Sequence, residues 1–218
     1  MRCVWPLPPD EKANRIDAKF LDPQYPEWRR RMGLPPDEHP GVDINLTGTS
    51  GNADEGYPVV AILPGHVVHA KSHRVWGNIV LIQHPPHVAE HFGLAQLWSQ
   101  YAHLKFVSVK EGDYLLPGEP VGSIGRGDPS RPFLAHLHFE LRIANLPADH
   151  WPRTKQAILS SYLDPESFLR KHADYSRRYF YPMSTIFGPS KRINLYGESV
   201  ANLDLPGTLR VRVPNDIL

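Results

Sequence analysis

The 218-residue chain predicts a mainly β protein, all-β to α+β in class, built on an antiparallel sheet. Two observations carry that prediction. From residue 57 the chain is a succession of short β-branched runs, "YPVVAIL", "GHVVHA", "GNIVLIQH", "WSQYAHL", "FVSVKEGD", "EPVGSIG" and "AHLHFELR", separated by Gly, Pro or Asn. Short strands at such spacing, with no regular helical pattern between them, pair antiparallel and not through βαβ crossovers. The apolar fraction, 41% over a length suited to one domain, is enough to bury a real core.

The elements follow in order. Residues 1–38 are rich in proline, interrupted by "YPEWRRRMG", and read as an irregular N-terminal arm packed on the domain with little regular structure. Residues 39–172 hold the β-runs and form the domain proper. Within them "PPHVAEHFGLAQ", residues 85–96, begins with two prolines and reads as one or two helical turns forming a lid or long hairpin loop. In "DPESFLRKHADYSRRY" Asp164 is an N-cap, Pro165 the first helical residue and Glu166 a first-turn acid, so a short C-terminal helix closes the domain. Residues 173–218 are an extension of unknown role ending in the strand-like "GTLRVRVPNDIL".

Composition narrows the function. With 24 Lys and Arg against 23 Asp and Glu, no long-range field points to nucleic acid or an anionic membrane surface. A single cysteine, Cys3, excludes an intrachain disulfide framework and a thiolate-rich zinc site, leaving the twelve histidines and the carboxylates as metal ligands. The opening "MRCVWPLPPDEKANR" has no apolar run of signal-peptide length, and no later stretch approaches the ~18 apolar residues of a membrane span. Location is therefore left open.

Three local patterns bear on chemistry. In "HPGVD" an imidazole, His39, and a carboxylate, Asp43, lie four apart around Gly41, which permits close backbone approach. Both are suitable zinc ligands, though the pair also occurs in proteins that bind no metal. In "AHLHFELR" His136 and His138 project from one face of a strand while Leu137, Phe139 and Leu141 take the core face. A solvated histidine pair predicts the same strand. His103 in "YAHL", taken alone, reads as an ordinary half-buried histidine.

In combination and in order, "HPGVD", "GNIVLIQH", "YAHL", "VKEGDYLLPGEPVGSIG" and "AHLHFELR" resemble the lysostaphin-type zinc metallopeptidases, the M23 family. The resemblance runs from about His39 to Arg142 and continues into "YLDPESFL". It implies a sheet groove of the lysostaphin-like, duplicated hybrid motif type, with one Zn²⁺ per chain held by His39, Asp43 and His138. His103 and His136 then face the reacting water and the scissile amide as catalytic groups. The implied function is hydrolysis of peptide bonds in peptidoglycan stem peptides or cross-bridges, at the bacterial cell wall, periplasmic or extracellular. The implied partner is the peptidoglycan peptide, with no nucleic acid and no membrane span, and the chain is expected to be a monomer. The alternative is a non-catalytic relative acting as a cell-wall binding or hydrolase-activator module.

Two departures from the family pattern flank the expected groove. The segment "HPPHVAEHFGLAQ" is longer than the usual tight hairpin, and "GRGDPSRPFLA" replaces a short glycine-rich stretch, so both are expected to shape or cover the substrate cleft. Tyr25 and Tyr57 are the candidates for a tyrosine that some members place near zinc. A competing motif, "HVAEH" from His87 to His91, matches His-x-x-Glu-His of inverted zinc peptidases, but its helix is too short and its surroundings are β. His66, His69 and His73 are assigned no role. The glycine-punctuated run also resembles lipoyl- and biotinyl-type carriers, which lack the histidine set.

Overall fold

A computed structural model describes residues 2–8, 11–130 and 132–174; the tail read as strand-like lies outside the described residues. Ten strands belong to one sheet: β1 (Asn14–Ala18), β2 (Val42–Leu46), β3 (Pro58–Val60), β4 (Gly65–His73), β5 (Gly77–Gln83), β6 (Trp98–Val107), β7 (Tyr114–Leu115), β8 (Pro120–Ile124), β9 (Leu137–Arg142) and β10 (Tyr162–Leu163). The main order is β1-β2-β9-β6-β5-β4-β7; β10 pairs with β9, and β8 pairs with both β3 and β6. Every ladder is antiparallel, as the short turn-bounded runs require.

Alternation along β9 gives the sheet its two faces. Leu137, Phe139 and Leu141 enter the main core with Val42 and Ile44 of β2 and Tyr101 of β6. Each such side chain contributes about 1.5–3 kcal/mol on burial. On the opposite face, Ala102 lies across from His138, Gln100 from Glu140 and Trp98 from Arg142. There a smaller cluster of Trp76, Ile79, Leu81, Trp98, Ala102 and Ala148, with Trp151 against it, roofs the polar end of β9.

The N-terminal segment is more regular than its prolines suggest. Residues 14–18 form an edge strand on β2, and α1 (Tyr25–Arg31) starts with proline in its first turn. Cys3, Trp5 and Leu7 are buried in the main core, and Val4 donates its amide to the Ile62 carbonyl. Backbone pairing and three buried side chains make this segment part of the fold's structure.

The insertion at 85–96 also departs from expectation. Its helix α2 (Pro86–His91) buries Val88 and Ala89 in the main core, and Phe92 packs on Phe168 and His172. This is the face of the sheet opposite His138, so α2 is a core element and does not cover the groove. The spacing of Val88, Ala89 and Phe92 places three apolar groups on one side, which wins over any role as a free lid.

Two further helices end the described chain. α3 (Lys155–Ser161), absent from the sequence reading, is capped by Thr154, whose hydroxyl accepts from the Ala157 amide at 3.2 Å. α4 (Pro165–His172) starts as expected: Asp164 Oδ1 accepts from the amides of Glu166 and Ser167 at 3.0 and 3.3 Å.

Candidate metal centre

The groove face gathers all five histidine and aspartate positions singled out in the sequence. Asp43 on β2 lies directly across from His138 on β9, which puts their side chains side by side on one face. His39 arrives from the loop before β2, brought close by Gly41. A Cβ at Gly41 would overlap the Phe139 carbonyl oxygen and lie 2.9 Å from Glu140 Cγ, so only glycine lets this loop touch β9.

His39 Nε2, Asp43 Oδ1 and His138 Nδ1 form a triangle with sides of 3.2, 3.0 and 3.1 Å. Tetrahedral zinc with bonds of ~2.0–2.2 Å separates its ligands by about 3.3 Å, so the triangle fits such an ion with little adjustment. Among the described residues, this is the only group of three metal-type ligands.

Hydrogen bonding fixes which nitrogen points inward. His39 Nδ1 donates to the Lys19 carbonyl at 2.8 Å, and His138 Nε2 donates to Glu140 Oε1 at 3.0 Å. The inward atoms are then lone pairs, and Asp43 adds an acceptor-only oxygen. Three acceptors within about 3 Å repel one another unless positive charge sits among them. A metal ion supplies it; without one, His138 takes a proton. Burial opposes that proton, but Asp43 and Glu140 outweigh burial and push His138 up to about 9. Asp43 is also desolvated, yet His39, His136 and His138 hold its carboxyl well below the usual range.

His103 and His136 complete the group. His103 sits in the left-handed region, φ 62°, at a bulge where β6 carries one residue more than β5. Such a backbone costs about 1–3 kcal/mol. It is kept by two bonds to the Trp76 carbonyl, from the His103 amide at 3.0 Å and from Nδ1 at 2.9 Å. His136 Nδ1 donates to the Leu134 carbonyl at 2.7 Å, leaving its Nε2 3.7 Å from Asp43 Oδ1. The two rings meet edge to face at 4.7 Å. Burial, reinforced by His136 and His138, keeps His103 well below the ordinary histidine range and therefore neutral.

Aromatic side chains border the centre. Tyr25 of α1 stacks on His39 at 4.1 Å, followed by Trp151 and Trp76, the latter 5.3 Å from the His138 ring. Arg29 lies 4.9 Å over Trp151. Phe133, from the loop that departs from the family pattern, packs 5.1 Å from His103, so that loop does border the site. Beside Asp43 and His136 an open cleft is lined by Arg15, Asp17, Trp28 and Leu134. Tyr57 lies elsewhere; its hydroxyl donates to the Pro8 carbonyl, leaving Tyr25 as the tyrosine at the site.

The other histidine groups stay apart. His87 and His91 are exposed on α2, and His66 packs on Tyr114. Two residues of the site escaped the sequence reading, Glu140 and Arg142. Both are fully buried on the His138 face; Arg142 Nε and Nη2 each lie 2.8 Å from Glu140 Oε2. The alternation that pairs His136 with His138 continues to 140 and 142 and so gives their face, though not their burial.

An open antiparallel sheet with a His, Asp, His donor cluster in its groove defines the class, a metallopeptidase-like fold. The chain belongs to Peptidase family M23, whose sequence pattern matches residues 37–150. Among curated proteins it is similar to the peptidoglycan DD-endopeptidase ShyB of Vibrio cholerae, 29% identical over 147 residues, 64% of this chain and 32% of that protein. It is also similar to the cell division protein DipM of Caulobacter vibrioides, 32% identical over 107 residues, 48% of this chain and 15% of that protein. The matched segment thus spans about a third or less of either relative. Among solved structures, the SpoIIQ–SpoIIIAH pore-forming complex shares the fold, with TM-score 0.51 and 20% identity over 77% of this chain and 90% of that one. The catalytic domain of lysostaphin from Staphylococcus simulans gives TM-score 0.42 and 27% identity over 61% of this chain and 80% of that one.

Proposed function

We propose that this chain is a zinc-dependent endopeptidase that hydrolyses peptide bonds in peptidoglycan stem peptides or cross-bridges. The observation that carries the reading is the convergence of three acceptor atoms, from His39, Asp43 and His138, on one point of the groove. Three protein ligands with a fourth position open are the arrangement of catalytic zinc. Zinc held there supplies Lewis-acid activation of water and of the amide carbonyl.

The chain's own residues supply proton handling. His103 and His136 both donate Nδ1–H to a carbonyl, a tautomer that in the neutral ring turns the Nε2 lone pair toward the groove. In that form an imidazole accepts a proton from the attacking water; once protonated, it holds negative charge on the reacting oxygen or returns the proton to the leaving amine. Phe133 packs against both rings and Trp76 stacks on His103. The rival reading, a non-catalytic wall-binding or activator module, gives no reason to keep all five positions in this geometry.

The family and the named function of ShyB support peptidoglycan as substrate, and such a substrate implies action at the cell wall, periplasmic or extracellular. Among the described residues no helix is long and apolar enough to cross a membrane. The test is incubation of defined cross-linked peptidoglycan fragments with the purified protein, with and without chelator, read by product mass. Cleavage abolished by chelation and restored by zinc supports the reading. Cleavage that survives thorough chelation, or none on any wall type, contradicts it.

A further inference from the structure

We propose that Glu140 and Arg142 are positioning residues of the metal centre: Glu140 fixes the orientation and proton of His138, and Arg142 holds Glu140 and the following loop in place. The inference rests on the zinc reading above and extends it to two residues that touch neither metal nor substrate.

The geometry is continuous. The Glu140 carboxylate accepts from His138 Nε2 through one oxygen at 3.0 Å and from Arg142 Nε through the other at 2.8 Å. Arg142 spends its remaining donors on main-chain carbonyls, Pro147 at 2.8 Å, Ala148 at 3.3 Å and Leu146 at 3.4 Å. The chain of contacts therefore runs from His138 to the loop that places Ala148 and leads to Trp151, both part of the apolar cluster over this face.

Burial gives the arrangement its force. Glu140 and Arg142 are each fully buried, on a face shared with Trp98, Leu81 and Ala102 and with the buried Gln100 across from Glu140. A buried ion pair is weak evidence of stabilisation, because an apolar pair of similar volume often does as well or better. An acceptor on the outer nitrogen of a ligating imidazole sets its tautomer and raises its basicity, and losing it typically weakens metal binding ~10- to 100-fold. Here the outer acceptor is a carboxylate with nowhere else to turn.

The experiment compares zinc affinity, by competition with a chromophoric chelator, in wild type, Glu140→Leu, and the double variant Glu140→Leu with Arg142→Met. The double variant removes both charges, so it leaves no buried charge unpaired and separates positioning from folding failure. Melting of the metal-free proteins is recorded alongside. We expect both variants to bind zinc about 10- to 100-fold more weakly. In zinc-loaded wild type, ¹⁵N shifts should show His138 protonated at Nε2 and metal-bound at Nδ1. Unchanged affinity in variants whose melting alone has fallen, or a proton on Nδ1 of His138, overturns the inference while leaving the zinc enzyme intact. Failure of wild type to take up zinc overturns it together with the function it rests on.

Discussion

Asp43 and His138 face each other across β2 and β9, with Asp43 Oδ1 3.0 Å from His138 Nδ1. The strand register brings together residues 95 positions apart. Because side chains alternate with period two, a slip of one residue in either strand would turn one of them into the apolar core. Val42, Ile44, Leu137 and Phe139, buried on the other face, oppose that slip. The metal centre is thus specified by the same packing that specifies the sheet.

The two histidines of "HLH" should fail differently. His136 makes no triangle contact shorter than 3.7 Å, so His136→Ala should keep most of its zinc while cleavage falls by about 10²- to 10⁴-fold. His103→Ala should behave alike. Metal analysis beside a peptide-cleavage assay checks both; zinc loss on replacing His136 would move it into the ligand set.

Gly41→Ala should damage the centre without touching a ligand. The added methyl collides with the Phe139 carbonyl and Glu140, forcing the His39 loop away from β9. Overpacking of this kind costs about 1–3 kcal/mol. Zinc affinity and melting temperature should fall together; wild-type values would show that the loop has room to shift.

Acid should weaken the metal-free fold through His84. This buried imidazole donates Nδ1–H to the Pro64 carbonyl at 2.9 Å and pairs through Nε2 with the Ser99 hydroxyl at 3.0 Å. Burial pushes it down to about 4 from the ordinary 6.5. The unfolded chain therefore binds this proton first, and stability falls as pH drops from about 6.5 to 4. The full loss is about 3 kcal/mol. Melting of chelated protein across that window should be flatter in His84→Gln; an equal slope would remove His84 as the source.

The histidines of α2 should be irrelevant to the metal. His87 is exposed on the face of the sheet opposite the centre, so His87→Ala should leave zinc content and cleavage unchanged. Metal loss there would revive the inverted motif.

How much of this was legible in the sequence depended on range. The strand at 137–142 and its two faces follow from alternation, and the Asp164 cap follows from local chemistry. Gly41 announced a close approach, though not to which strand. Glu140 and Arg142 lay in the same octet as the histidines, but a polar alternation ordinarily faces water, and nothing local shows that Trp76, Trp98 and Trp151 cover it. The same limit misplaced α2: its apolar side is visible, whereas the face of the sheet that receives it is a tertiary fact. β1 was hidden because "NRIDA" carries charges that suit an edge strand, and of its inward residues Asn14, Ile16 and Ala18 only Ile16 is a large apolar one.

Whether His39, Asp43 and His138 hold catalytic zinc is decided by metal analysis of the purified chain beside His138→Ala. The expected result is one zinc per wild-type chain and a variant that retains almost none after dialysis. A wild type without zinc, or a variant that binds it equally well, would contradict the assignment.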